Sequence, residues 1–106
     1  MYEGSVEKLG AAFHPVSHLY CEKDGGVLDV PREQWFELVR NRPSAASRGL
    51  PRDDRILLLD ISGPDTALVK VAGQLPPSYF TDYLVLNRTS EGWKIVSKVY
   101  RADIRD

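Results

Sequence analysis

The sequence predicts an α+β protein in which helices come first and an antiparallel sheet follows. Three observations carry that expectation. Apolar residues recur at helical spacing near the N-terminus and again after Pro31. Four long strand-like runs then follow one another from Ile56 to Ile104, and short turn segments rich in Gly, Pro, Ser and Thr separate them. At 106 residues the chain has room for one domain, spanning 1–106, and none for a second core.

Each element has its own signal. Val6, Leu9, Ala12 and Phe13 share a helical stripe over Ser5 to Phe13, and Pro15 stops that helix. His14 precedes the proline, where helical backbone is disfavoured, so it belongs to the exit turn. Ser17 to Glu22 and Val27 to Val30 read as two short strands around Lys23-Asp24-Gly25-Gly26, a hairpin signal because Asp and Gly tolerate positive φ. Pro31 opens a second helix running to Asn41, with Glu33 in its first turn and Arg40 at its end. Its apolar stripe is Trp35, Leu38 and Val39, with Phe36 at one edge. A loop rich in Arg, Pro and Ser covers 42–52. Strands then follow over Ile56–Ser62, Ala67–Leu75, Tyr79–Arg88 and Trp93–Ile104.

The turn at 89–92 favours one register over a one-residue slip. That slip would turn Asp82 outward and bring Tyr83 and Lys98 inward, burying Lys94 and Lys98 while exposing Leu84 and Leu86. The favoured register pairs Arg88 with Trp93, Leu86 with Ile95, Leu84 with Ser97 and Asp82 with Val99. With Gly73, Val71 and Val69 of the preceding strand, and Ile61, Leu59 and Leu57 of the first, this row makes an almost wholly apolar face for the helices to cover. Asp82 is its polar exception. The opposite face then carries Lys94, Val96, Lys98 and Tyr100 beside Tyr83 and Val85, a mixture suited to a dimer interface.

Composition excludes several classes. Fourteen Lys+Arg against fifteen Asp+Glu give a net charge of −1, which argues against nucleic acid and against a polybasic membrane surface. The single cysteine, Cys21, leaves no intramolecular disulfide and no Cys-based zinc site, and is expected as a buried, inert thiol. No apolar run approaches the ~20 residues of a membrane span. Met1-Tyr2-Glu3-Gly4 lacks the features of a signal peptide, so a cytoplasmic protein is expected.

Read together, Ala12-Phe13-His14-Pro15, Pro31-Arg32-Glu33-Gln34-Trp35, Phe80-Thr81-Asp82-Tyr83-Leu84 and the run Gly92 to Tyr100 resemble the nuclear-transport-factor-2-like (NTF2-like) superfamily. Within it, the SnoaL-like group that carries a lumazine-binding label is the most similar. The resemblance covers nearly the whole chain. It implies a cystatin/NTF2-like roll: a cone-shaped curved antiparallel sheet covered by N-terminal helices, enclosing a pocket, and usually a homodimer through the convex sheet face. The first helix is shorter than the superfamily usually has, which implies either a shortened chain or a more open cone. Fold alone says little about chemistry in so varied a superfamily.

Asp82 is the residue singled out for chemistry. A lone carboxylate on an apolar face loses hydration and holds its proton more tightly, which would suit a general base acting on an acidic C–H. Tyr20, Tyr2, His14 and His18 are the available partners for such a base. The alternative is structural, with Asp82 accepting hydrogen bonds from Ser97, a tyrosine or the backbone, or pairing with Arg101. Trp35, Phe80, Ser97, Val71 and Tyr2 are candidate ligand contacts, though the aromatics, with Phe13, Phe36 and Trp93, are most simply core. His14 and His18 have a metal-ligand spacing only on a helix, and Pro15 between them removes it. Arg42, Arg48, Arg52 and Arg55 form a basic cluster read as a solvated loop. No metal and no cofactor is expected.

Three functional readings follow. The first is a domain that binds an apolar or aromatic small molecule in a largely apolar pocket. The second is an isomerase, dehydratase or cyclase using Asp82, and the third is an interaction domain whose cone is filled by side chains. The absence of a second acid or base beside Asp82 favours binding.

Overall fold

The computed structural model describes residues 10–41, 55–75 and 77–104. The loop at 42–52, most of the first helix and Tyr2 lie outside these residues. The described elements are β1 (Phe13–Lys23), β2 (Gly26–Pro31), α1 (Arg32–Arg40), β3 (Arg55–Ser62), β4 (Thr66–Leu75), β5 (Ser78–Thr89) and β6 (Gly92–Ile104). They form a curved six-stranded sheet in the order β2-β1-β6-β5-β4-β3. The sheet is mixed rather than wholly antiparallel, because β1 runs parallel to β6.

Local chemistry explains the joints. Asp24 and Gly25 both take positive φ, 53° and 83°, which matches a two-residue turn to the right-handed twist of the β1–β2 hairpin. Pro31 ends β2 in extended backbone and caps α1 without a side-chain hydrogen bond. The helical residues Gly10 to Ala12 give way to β1 at Phe13, two residues before Pro15. His14 and Pro15 therefore lie in the strand. Ser17 Oγ donates to the His14 carbonyl at 2.6 Å, and the Val16 N–H donates to His14 Nδ1 at 3.1 Å. These bonds hold the irregular stretch between Phe13 and His18, where the β1–β6 register shifts.

The core lies between α1 and the strands beneath it. Phe13, Leu19, Val30, Trp35, Phe36, Val39 and Ile95 form one buried cluster, with Ala12, Leu84, Leu86 and Tyr100 packed against it. Phe13 meets the Trp35 ring edge-on, with centroids 4.9 Å apart. The helix buries Trp35, Phe36 and Val39 rather than the expected stripe, and Leu38 is 53% exposed. Positions i, i+1 and i+4 form one arc of a 3.6-residue helix, and Leu38 falls outside it. Trp93 is also corrected: at the end of the β5–β6 turn it is 39% exposed and not core.

The registers of β5 and β6 decide which side chains share a face. Arg88 pairs with Trp93 and Leu86 with Ile95, as the turn predicts. A bulge then inserts Val96, so that Val85 pairs with Ser97, Leu84 with Lys98 and Asp82 with Tyr100. Ser97 and Val99 therefore move to the outer face, while Lys98 and Tyr100 move to the inner face beneath α1. Asp82 stays on the inner face, because β4 and β5 pair regularly, with Val69 opposite Leu84, Val71 opposite Asp82 and Gly73 opposite Phe80. On β3, Ile61 and Leu59 face Ala67 and Val69 as expected, and a second bulge puts Ile56 rather than Leu57 opposite Val71.

Candidate functional site

The β6 bulge creates the most unusual polar arrangement on the inner face. Lys98, from β6, lies within 3.5 Å of Asp82 Oδ2, from β5, and their side chains are 7% and 18% exposed. Charged groups pay a large desolvation cost in such a place unless they are paired. The Lys98 ammonium also sits 4.9 Å from the Trp35 ring centroid and 5.4 Å from that of Tyr100. Those ring faces are electron-rich and offset part of its lost hydration. The carboxylate is served less completely. Asp82 Oδ1 is buried and has no hydrogen-bond partner. An orphaned acceptor of this kind costs about 1–3 kcal/mol, and an incoming N–H or O–H would recover it.

Around this pair the inner face is apolar. Leu84 and Phe80 flank Asp82 along β5, Val71 lies opposite it on β4, and Tyr100 lies opposite it on β6. Phe80 and Tyr100 approach with ring centroids 6.4 Å apart. Trp35 descends from α1 over the same surface and touches Phe13 and Phe36 on its other sides.

Among the candidates read from the sequence, the structure thus brings together Asp82, Trp35, Phe80 and Val71. It separates the others. Ser97, shifted by the bulge, shares a β6–β1 register row with His18 on the outer face. Tyr20 pairs with Val99 and Asp29, also on the outer face, where its ring stacks on His18 at 6.0 Å. His18 Nδ1 lies 2.5 Å from Asp29 Oδ1. His14 is engaged by its own turn, at the level of Ile95. Asp82 lies at the level of Tyr100, five residues further along β6, which is roughly 16 Å at the usual strand rise. Cys21 is partly buried, with Sγ 3.3 Å from the Glu22 carbonyl. Among the described residues no group of His, Cys, Asp and Glu is arranged to hold a metal ion, and no helix is long and apolar enough to cross a membrane.

Lys98 is the site residue that sequence reasoning missed. In a regular strand Ile95 and Lys98 occupy opposite faces, so an inward Ile95 forces Lys98 outward. The available signal is the change of phase along β6: Trp93 and Ile95 mark one alternation, and Tyr100 and Ala102 the other. A pocket of about 200 Å³ opens at the end of β5, lined mostly by outer-row residues such as Arg55, Thr81, Arg101 and Asp103 but also by Phe80 and Gly73 of the inner row.

With this geometry in place, the chain can be compared with known proteins. The family described as "Putative lumazine-binding" matches residues 1–101. No curated protein matches the chain. Among solved structures, an NTF2-like protein of unknown function from Silicibacter pomeroyi superposes with a TM-score of 0.82 at 22% identity, covering 96% of this chain and 82% of that one. An NTF2-like protein of unknown function from Shewanella baltica gives 0.83 at 20% identity, covering 98% and 82%. A ketosteroid isomerase-like protein from Erwinia carotovora atroseptica gives 0.70 at 12% identity, covering 96% and 84%. At these identities the likeness is one of fold.

Proposed function

Since the chain belongs to the family described as "Putative lumazine-binding", we propose that its inner sheet face binds a small molecule with an apolar or aromatic body and one hydrogen-bond donor. The observation that carries this reading is the buried Asp82–Lys98 pair under Trp35 and Tyr100, with Asp82 Oδ1 unpartnered. The donor satisfies that oxygen, and the body lies along Val71, Leu84 and Phe80. Lys98 neutralises the carboxylate in the absence of ligand, so the face need not hold a bare charge. The self-association implied by the resemblance fits the same protein, because it leaves this inner face available.

The geometry weighs against the proton-transfer alternative. A general base works best when its charge is not already shared with a cation and when its proton-transfer partners stand beside it. Asp82 shares its charge with an ammonium, Tyr20 lies on the other face of the sheet, and His14 is occupied by Val16.

A matched pair of probes tests the binding reading. 2-Naphthol and 2-methoxynaphthalene have the same aromatic body, and only the first can donate a hydrogen bond. Titration followed by tryptophan fluorescence and calorimetry is expected to show 2-naphthol binding about tenfold more tightly, the worth of one buried hydrogen bond. The double variant Lys98→Met/Asp82→Leu, which removes the acceptor without stranding a charge, is expected to abolish that gap while leaving the fold intact by circular dichroism. Equal affinity of the wild type for the two probes overturns the reading of Asp82 as the recognition group.

A further inference from the structure

Lys98 is a buried nucleophile as well as a counter-ion. Its Nζ lies 3.5 Å from Asp82 Oδ2, 4.9 Å from the Trp35 ring centroid and 5.4 Å from that of Tyr100. Other lysines stand in more ordinary places. Lys70 lies over the Tyr83 ring on the outer face, Lys94 donates to the Ala11 carbonyl, and Lys23 ends β1 in solvent. Among the described residues, Lys98 is the lysine that combines a carboxylate in ion-pair range with an apolar surface alongside. Val71, Phe80 and Leu84 supply that surface and are only partly buried.

We infer that Lys98 is a Schiff-base lysine, whose amine condenses reversibly with an aldehyde or ketone carried on an apolar or aromatic body. This rests on the binding reading of the same face and gives its ligand a reacting group. The step balances without a co-reactant. Asp82 Oδ2 takes one proton from the ammonium. The freed nitrogen pair attacks the carbonyl carbon, closing a C–N bond and sending the C=O π pair onto oxygen. A proton moves from nitrogen to that oxygen, which gives a neutral carbinolamine. Asp82 then returns its proton to the hydroxyl, which departs as water while the nitrogen pair closes the C=N bond. One ammonium and one carbonyl become one iminium and one water, with no net change in charge.

The surroundings of the amine fit each stage. The ion pair survives, because the iminium replaces the ammonium beside Asp82 and no buried charge is stranded. The Trp35 and Tyr100 rings face the new cation as they faced the old. The carbinolamine hydroxyl is a donor for the buried, unpartnered Asp82 Oδ1. The proton transfers asked of Asp82 are with its immediate neighbour and not with a distant C–H.

Reductive trapping tests this on the full chain. Wild type is incubated with 2-naphthaldehyde and sodium cyanoborohydride near neutral pH, and adducts are located by intact mass and peptide mapping over a time course. A naphthylmethyl group is expected on Lys98 at least about tenfold sooner than on any other lysine. Saturating 2-naphthol, which occupies the same face, is expected to slow labelling at Lys98 and at no other lysine. Lys98 left unlabelled, labelled no faster than the other lysines, or labelled regardless of 2-naphthol overturns the inference. Where Lys98 stays unlabelled while 2-naphthol still outbinds 2-methoxynaphthalene, the inference falls and the binding reading stands. Where neither probe binds and Lys98 stays unlabelled, both fall.

Discussion

The two ends of this sheet are built from the same ladder of hydrogen bonds and end in opposite states. Under α1, the strands β1, β2 and β6 bury Phe13, Leu19, Val30 and Ile95 against Trp35, Phe36 and Val39. At the far edge, β3 pairs with β4 from Arg55 to Ser62 and buries none of its side chains. Pairing is therefore not what separates them. A sheet face becomes core only where a second layer covers it, and among the described residues α1 packs on β1 and β2 and reaches β6 through its side chains at Ile95 and Lys98. The Asp82–Lys98 pair sits between the two regimes. Trp35 of the covered half shields Lys98, while Asp82 stands between Lys98 on one side and its β4 register partner Val71 on the other.

The widest contrast is expected from truncating one apolar residue in each region. Phe36→Ala removes a fully buried ring beneath α1 and should cost about 3–5 kcal/mol in urea denaturation. Ile61→Ala, on the exposed β3, should cost less than about 1 kcal/mol. Similar losses would mean that the β3 side chains are covered in solution and would break the comparison.

Lys98→Met probes the boundary. It leaves Asp82 with both oxygens uncompensated in a mostly buried site, and a loss of about 3 kcal/mol is expected. The double variant Lys98→Met/Asp82→Leu removes both charges and should recover most of that loss, since an apolar pair of similar size is often no worse than a buried ion pair. A small loss in the single variant, below about 1 kcal/mol, would place the pair with the exposed half of the sheet.

Most of the architecture was legible because turns announce themselves. Asp24-Gly25 and Gly92 need positive φ and take it, Pro31 marks the start of α1, and the strand bounds follow within a residue, except that β1 starts at Phe13 rather than at Ser17. Asp82 on the inner face was legible too, from the apolar alternation of Leu84 and Leu86. What was not legible were the bulges. A strand read as strictly alternating propagates one register from the 89–92 turn to Ile104. Val96 interrupts that register, and every residue beyond it changes face. The insertion turns Ser97 from a candidate contact into an outer residue and brings Lys98 in. The parallel β1–β6 contact was hidden for a different reason. It joins strands some eighty residues apart, and no turn connects them.

The smallest expected effect concerns the β1–β2 hairpin at the covered half's outer edge. Gly25 has φ of 83°, and a Cβ built there meets nothing within 4 Å. Packing therefore contributes nothing to the cost of Gly25→Ala, and the whole of it is backbone conformation, about 1 kcal/mol. Asn tolerates the left-handed region better than Ala, so Gly25→Asn should cost about half as much. Gly10 makes the opposite case: a Cβ there meets Arg32 Nη2 at 3.2 Å, and no positive φ is involved. Gly10→Ala should therefore be no milder than Gly10→Asn. Equal losses for Ala and Asn at position 25 would show that the turn relaxes, and that the edge hairpin is as loosely held as β3.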